Sequence, residues 1–260
     1  MLLAALAVDA FWLEPSSLRL ARYDVPAPAP ALRGLRIAVI ADLHGGSPYI
    51  GKDKIDAVVA MTNAAHPDLV LMAGDYVAGV PHIWGGPHIS IEIIAAHLKA
   101  LKAPLGVYAV LGNHDNWTDP GRVAAALRGN GIKVLDNAHL VLPHSALTLV
   151  GIGDQRSHAD NVAQALAGIA PEAQALCFTH APDLFAQLPS TCALTIAGHT
   201  HGGQVALPFL GRPIAPTRFG YDAGIFHKDG KTLFVSTGIG TSIMPVRFGV
   251  PPEISLLSLQ

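Results

Sequence analysis

The sequence has unusually few charged residues. Only 14% of its 260 residues are Asp, Glu, Lys or Arg, whereas soluble domains average roughly 25%. The 17 basic residues are offset by 19 acidic ones, which gives a formal net charge of −2. A protein that binds nucleic acid through surface charge needs clustered Lys and Arg to contact phosphates. We therefore expect no nucleic-acid partner.

Cysteine is also scarce, because Cys177 and Cys192 are the only two in the chain. Two cysteines are too few for a disulfide framework or a cysteine-rich zinc site. We expect both to be small residues of the core. Disorder is excluded by an apolar content of 50%, since disordered chains have low hydrophobicity. The one compositional oddity is the 13 histidines.

The N-terminal apolar stretch, residues 1–13, is short. A spanning helix needs about 20 residues, and Asp9 interrupts the stretch. It has no basic leading region or clear cleavage site of a signal peptide. Three interpretations stay open: a helix on the domain, the tail of a longer membrane segment, or an interfacial anchor with Phe11 and Trp12 at headgroup depth. We expect a cytoplasmic protein with peripheral contact at the inner membrane, or alternatively an anchored or exported one.

Apolar runs and helical segments alternate after the proline-rich spacer at 26–30. Runs of strand length, each ending in a polar cluster, span 35–41, 68–73, 107–111, 175–179 and 193–197. Their continuous apolar character is typical of strands buried on both faces. Helices are predicted over about 53–65, over 90–102, and from Asp119 to near Gly129 or Gly131. This alternation favours a largely parallel sheet with right-handed crossovers.

The second half of the chain is richer in predicted strands. These span 132–136, 139–142, 147–152, 203–207, 232–237 and 254–259. They are separated by Gly and Pro turns, so we expect a second sheet that faces the first and leaves the helices outside. We treat residues 1–30 as an N-terminal segment and residues 31–260 as a single domain.

The polar clusters at the strand ends form a candidate metal site. In open α/β sheets, sites lie beyond the carboxyl ends of the strands. The polar side chains there are Asp42, His44, Asp75, Asn113, His114, His180, His199 and His201. This oxygen and nitrogen set suits Mn, Fe, Zn or Co, and is poor for Cu(I), an iron–sulfur cluster or an all-oxygen Ca site. The ligands are too many for one tetrahedral ion but suffice for two ions about 3.5–4 Å apart.

The order of these motifs resembles the calcineurin-like metallophosphoesterase family. The family pattern is Asp-x-His, Gly-Asp, Gly-Asn-His-Asp/Glu, His and Gly-His-x-His, and every piece occurs in order between about 35 and 204. Finer matches at 198–205, 236–240, 247–248 and 252–254 resemble a subgroup of bacterial membrane-associated phosphoesterases. Some members of that subgroup cleave nucleotide–lipid pyrophosphates such as UDP-diacylglucosamine. The resemblance implies a four-layer α/β/β/α sandwich of two mixed sheets flanked by helices.

The resemblance also implies a dinuclear hydrolase in which Asp75 bridges two metal ions. Its other ligands would be Asp42, His44 and His201 at one ion, and Asn113, His180 and His199 at the other. A metal-bridging hydroxide would attack phosphorus. His114 would stabilise the phosphoryl oxygens and protonate the leaving group. Asp115 would orient the His114 imidazole or support a metal ligand.

Substrate contacts are less defined by the sequence. His82 and Trp84 lie in the loop 79–88, which is either a flap over the substrate or an ordinary Gly/Pro loop. Arg156 is either a phosphate clamp or a surface arginine. We expect a small phosphoester or nucleotide–lipid substrate, and favour a diester or pyrophosphate because no basic cluster awaits a dianionic monoester. The alternatives are a phosphomonoesterase or protein phosphatase, a nuclease, and a non-catalytic binding scaffold.

Overall fold

The apolar runs form the central strands of two facing sheets in the computed structural model, which describes residues 1–79, 85–143 and 145–260. The first sheet has the order β1 (Arg19–Val25), β12 (Glu253–Leu259), β2 (Arg36–Ile40), β3 (Leu69–Ala73), β4 (Val107–Val110) and β5 (Lys133–Val134). The second has the order β10 (Gly224–Lys228), β11 (Lys231–Val235), β9 (Cys192–Ala197), β8 (Ala175–Phe178), β7 (Thr148–Gly151) and β6 (Ala138–Val141). The fold is therefore α/β with two mixed sheets, as predicted.

Helices flank both sheets. They are α1 (Leu2–Val8), α2 (Glu14–Ser16), α3 (Lys52–Ala64), α4 (Ile91–Leu98), α5 (Asn113–Thr118), α6 (Pro120–Gly129) and α7 (Val162–Ala165). A π-helical turn, Asp9–Leu13, joins α1 to α2, and 3-10 turns span Pro30–Leu32, Pro182–Gln187 and His201–Gly203. In the described part of the chain, no helix combines the length and the apolar character that a membrane crossing requires.

Alternation along β2 shows why its sequence is apolar throughout. Ile37 and Val39 lie in the layer between the two sheets, whereas Ala38 and Ile40 pack in the layer that the flanking helices cover. Successive side chains of a strand point to opposite faces. Because both faces of the central strands are covered, neither face can be polar.

Parallel strands bring the motifs to one edge. β2, β3, β4 and β5 run parallel in the first sheet, and β7, β8, β9 and β11 run parallel in the second. Their carboxyl ends are followed by the polar clusters of the sequence. The two edge strands β6 and β10 are antiparallel to their neighbours, as is β12 to β2.

The predicted strand at 203–207 is wrong. Gly202, Gly203 and Gln204 have φ values of 57°, 72° and 58°, which lie in the left-handed region rather than the extended one. Consequently the chain turns tightly after the last histidine motif, and Val205 makes only an isolated bridge to Phe248. The helix predicted over 90–102 also ends early, at Leu98.

Cys177 and Cys192 are buried, as predicted, but they also form a disulfide that the sequence analysis did not predict. They lie on the adjacent strands β8 and β9. Their Cα atoms are 5.4 Å apart, which is within the usual range for a disulfide. The bond therefore ties together two strands that carry site residues at their ends.

Candidate metal centre

Asp42, His44 and His201 form the first cluster of the candidate metal centre. Their ligand atoms all lie within 4.8 Å of one another, and all three side chains are buried. The Nε2 atoms of His44 and His201 face each other at 3.1 Å. Only one proton fits between two such nitrogens, whereas a cation accepts both lone pairs. The donor set of this cluster therefore fits a metal ion.

The second cluster contains Asp75, His180 and His199, again with ligand atoms within 4.8 Å of one another. Nδ1 of His199 is 3.1 Å from Nε2 of His180. The same Nε2 is 3.0 Å from Oδ1 of Asn113. All seven predicted ligands thus meet in two adjoining groups. Their roles as ligands remain a prediction from the sequence, to which this geometry adds support.

Asp75 lies between the two clusters. Its Oδ2 is 3.3 Å from Nε2 of His180 and 3.6 Å from Nε2 of His44. Its Oδ1 accepts the backbone N–H of His114 at 2.9 Å, which orients the carboxylate. Of the carboxylates in these clusters, Asp75 is the one whose position would let it contact a cation in each cluster.

The ligand backbone adopts a conformation that L-residues rarely take. Positive φ values occur at Asp42, His44, Asp75, His199 and His201. Each such residue costs of order 1–3 kcal/mol, and such residues tend to concentrate at functional sites. These left-handed residues include both ends of the Asp-x-His and His-x-His motifs; Asp42 and His44 join one cluster, whereas His199 and His201 join different clusters. We therefore attribute the positive φ values to the convergence of the ligands.

Close packing explains Gly112, which lies between β4 and the predicted ligand Asn113. A Cβ at this position would lie 2.2 Å from Oδ1 of Asp75. No side chain fits in that space without displacing the carboxylate between the clusters. The glycine is therefore required by the approach of two ligand loops.

Backbone carbonyls orient the histidine rings from behind. Nδ1 of His180 is 2.7 Å from the Ala73 carbonyl, and Nδ1 of His201 is 3.3 Å from the Gly240 carbonyl. A hydrogen bond at Nδ1 selects the tautomer whose Nε2 lone pair is available to a cation. In both rings, Nε2 is the nitrogen that faces the cluster.

The electrostatics of the site also favour cation binding. Burial and the neighbouring Asp75 carboxylate raise the pKa of Asp42 to about 7. Burial and the positive charge of His180 lower the pKa of His199 to about 3. Burial, together with His44 and Arg247, lowers the pKa of His201 well below its ordinary value. The neutral imidazoles of His199 and His201 are in the form that binds metal ions. Against the effect of burial, the Asp75 and Asp42 carboxylates raise the pKa of His180 well above its ordinary value, so a cation must displace the proton of that ring.

His114, the predicted general acid, lies beside the first cluster. Its ring is edge-on to that of His44, with centroids 4.7 Å apart. Its Nδ1 is 2.8 Å from the carbonyl of Ala78, which orients the ring. The exposed ring of Trp117, which sequence reasoning missed, lies 5.5 Å from the His114 ring.

Asp115 is buried and bonds to backbone rather than to the His114 ring. Its two oxygens accept the N–H groups of Asp75, Tyr76, Val77 and Gly112, at 2.8–3.2 Å. Its carboxylate therefore fixes the turn that carries Asp75. Of the two roles expected for Asp115, this geometry favours the support of a metal ligand. It shows no contact that would give Asp115 a direct catalytic role.

Of the three predicted substrate contacts, the structure describes Arg156. Arg156 is exposed, and its positive charge is one cause of the lowered pKa of His199, so it lies near the second cluster. His82 and Trp84 lie outside the described residues.

Sequence reasoning missed Arg247 as a site residue. It is buried, with Nη2 3.5 Å from Nδ1 of His201.

Known proteins are similar to this chain in sequence. The family model described as calcineurin-like phosphoesterase matches residues 35–203. A protein of Aquifex aeolicus (strain VF5) named as an uncharacterized metallophosphoesterase is 28% identical, over 95% of this chain and 94% of its own. Phosphodiesterase YaeI of Escherichia coli (strain K12) is 29% identical, over 95% of this chain and 88% of its own.

A solved structure is similar at a lower level. The 5'-nucleotidase precursor from Thermus thermophilus has a TM-score of 0.44 and 16% identity. The match covers 79% of this chain and 49% of that chain. This similarity is too low to bear on function, which depends here on the site and the family match.

Proposed function

Because the chain belongs to the calcineurin-like phosphoesterase family and is a phosphoester hydrolase that binds divalent metal, we propose that it hydrolyses a phosphodiester or pyrophosphate bond with two metal ions. The observation that carries the proposal is the position of Asp75 between two clusters of buried ligands. Two bound cations would supply an activated water and neutralise charge on the phosphoryl group. Mn, Fe, Zn and Co all suit this donor set.

The residues around the centre have separate roles in this proposal. Asp75 contacts both clusters and fixes their relative position. Asp115 holds the turn that contains Asp75. His114 presents Nε2 toward the centre because its Nδ1 is engaged by the Ala78 carbonyl. When the ring is protonated, this nitrogen donates a proton to the leaving oxygen, as a general acid.

The preference for a diester or pyrophosphate rests on charge. Arg156 is a single exposed guanidinium near His199, which suits one charge on a phosphoryl oxygen better than the dianion of a monoester. The Escherichia coli relative is named a phosphodiesterase, which supports the same choice.

A substrate panel tests this preference. We expect bis-p-nitrophenyl phosphate to be hydrolysed with a higher kcat/KM than p-nitrophenyl phosphate or a phosphopeptide, in the presence of Mn, Zn, Fe or Co. Chelation should abolish the activity, and adding back one of the metals should restore it. Faster turnover of the monoester or the phosphopeptide would overturn the preference, and strand cleavage of DNA or RNA at moderate salt would show a nuclease. Absence of metal uptake by the purified protein would identify a binding scaffold instead.

We further propose that the N-terminal helix contacts a lipid surface and that the substrate is lipid-linked. Leu3 and Trp12 are 82% and 65% exposed, and Leu2, Phe11 and Leu13 are exposed as well. Large exposed apolar patches mark membrane or protein contacts, and aromatic side chains favour the headgroup region. A nucleotide–lipid pyrophosphate would present its cleavable bond at such a surface.

Vesicle sedimentation tests this contact. We expect the wild type to sediment with vesicles of mixed anionic and neutral phospholipid, and the double variant Leu3→Ser with Trp12→Ser to remain in the supernatant. The matched control is Val141→Ser, which removes another exposed apolar side chain far along the chain. Equal sedimentation of wild type and double variant would contradict the proposal.

A further inference from the structure

A proline leaves two carbonyls of the N-terminal helix without their helical donors. Pro15 has no N–H, so the Phe11 carbonyl lacks its donor four residues on and the Ala10 carbonyl lacks its donor five residues on. Instead, the Ala10 carbonyl accepts the backbone N–H of Arg247 at 2.9 Å. The Phe11 carbonyl accepts the hydroxyl of Tyr49. The helix is therefore attached to two loops of the domain by groups that its own proline left unpaired.

A carboxylate adds to this attachment. Glu14 accepts the N–H of Gly249 at 2.8 Å and the N–H of Val250 at 2.5 Å. Both donors lie in the segment that follows Arg247. Glu14 and the Ala10 carbonyl thus hold the backbone of one short loop at three N–H groups.

That loop places the buried guanidinium of Arg247 next to the cluster of Asp42, His44 and His201. Arg247 is fully buried. Its Nε and Nη2 donate to the Gly240 carbonyl at 3.0 and 2.7 Å, its Nη2 also donates to Thr237, and its Nη1 donates to Val250, both at 2.9 Å. Burying a charge costs free energy unless its hydrogen bonds are satisfied, and here the carbonyls satisfy them.

Gly240 connects this guanidinium to the cluster. Its carbonyl lies 3.3 Å from Nδ1 of His201, so Arg247 fixes the same oxygen that orients the ring of His201. On its other side, the N–H of Gly240 donates to the carbonyl of Asp42 at 2.6 Å. One residue therefore lies between Arg247 and two of the predicted ligands.

We propose that Arg247 and Glu14 are positioning residues for the cluster of Asp42, His44 and His201, and that the N-terminal helix is thereby part of the metal centre's support. Arg247 fixes the Gly240 carbonyl, and Glu14 fixes the loop that presents Arg247. Such outer partners typically contribute 10–100-fold to metal affinity. The inference rests on the proposed function in that it takes His201 as a metal ligand.

Cobalt titration of the full chain, followed by visible absorption of the bound Co²⁺, tests the proposal. We expect two Co²⁺ per chain in the wild type. In Arg247→Lys and in Glu14→Ala, one of the two sites should weaken by about 10–100-fold while the other keeps its affinity. Lysine keeps the charge but lacks the planar guanidinium, whose three separate nitrogens reach the carbonyls of Gly240, Thr237 and Val250.

Two further variants separate positioning from general stability. Glu14→Gln should give an affinity between those of Glu14→Ala and the wild type, because its single amide oxygen can replace only one of the two carboxylate oxygens that accept these N–H groups. Glu92→Ala, which removes an exposed partner of Arg122, is the matched control and should leave both sites unchanged. Unaltered binding in both Arg247→Lys and Glu14→Ala, or equal weakening of both sites, would overturn the inference. Binding of fewer than two Co²⁺ by the wild type would instead count against the proposed function.

Discussion

Replacing Asp75 by Asn should abolish hydrolysis. The neutral amide removes the one negative charge that lies between the two clusters, where Oδ2 is 3.3 Å from His180 and 3.6 Å from His44. Both metal affinities should fall together. We expect kcat/KM to drop by about three orders of magnitude, which corresponds to roughly 4 kcal/mol of transition-state stabilisation. The measurement is kcat/KM for bis-p-nitrophenyl phosphate, with metal content determined on the same samples.

The fold should survive this change, because an amide oxygen at position 75 still accepts the N–H of His114. Asp56→Asn is the matched control, since Asp56 is an exposed carboxylate paired with His97, and it should leave activity and metal content unchanged. Wild-type activity in Asp75→Asn, or loss of only one metal ion, would show that Asp75 does not bridge.

Replacing His114 by Ala should leave the metal content intact and slow hydrolysis. General acids typically contribute 10²–10⁴-fold, and the loss should be largest for leaving groups of high pKa, because these need the proton most. We therefore expect a plot of log kcat/KM against leaving-group pKa, for a series of aryl phosphodiesters, to become steeper in His114→Ala.

The alternative role for His114 is that of a metal ligand. Ligand atoms of His44, Asp75 and His114 also lie within 4.8 Å of one another, so His114 is geometrically able to bind metal. Loss of metal in His114→Ala would make it a ligand rather than a proton donor. His97→Ala, which removes a half-buried histidine that pairs with the exposed Asp56, should leave both readouts unchanged.

The central strands could be predicted because burial on both faces makes them apolar throughout. β1 was missed because it is an edge strand in which exposed and half-buried residues such as Arg19, Arg22 and Asp24 interrupt the pattern. The false strand at 203–207 contains a short apolar run, but Gly202 and Gly203 turn the chain at its start. Local pattern therefore identifies buried strands and misses elements that depend on tertiary pairing.

Pairing between distant residues was equally inaccessible. Cys177 and Cys192 are 15 residues apart in sequence, and only the adjacency of β8 and β9 brings them together. Arg247 belongs to the sequence match at 247–248, but neither it nor Glu14 was assigned a role near the centre, because most of their contacts are with backbone groups that no residue pattern encodes. The predicted ligands were different, since each lies in a motif at a strand end, and parallel strands bring such ends to one edge.

The central claim is a pair of metal ions bridged by Asp75. The most direct test is a crystal of the full chain grown with Mn²⁺, with an anomalous difference map recorded at the manganese edge. We predict two peaks about 3.5–4 Å apart, one against Asp42, His44 and His201, the other against Asn113, His180 and His199, and both contacting Asp75. A single peak, or two peaks of which only one contacts Asp75, would contradict the account.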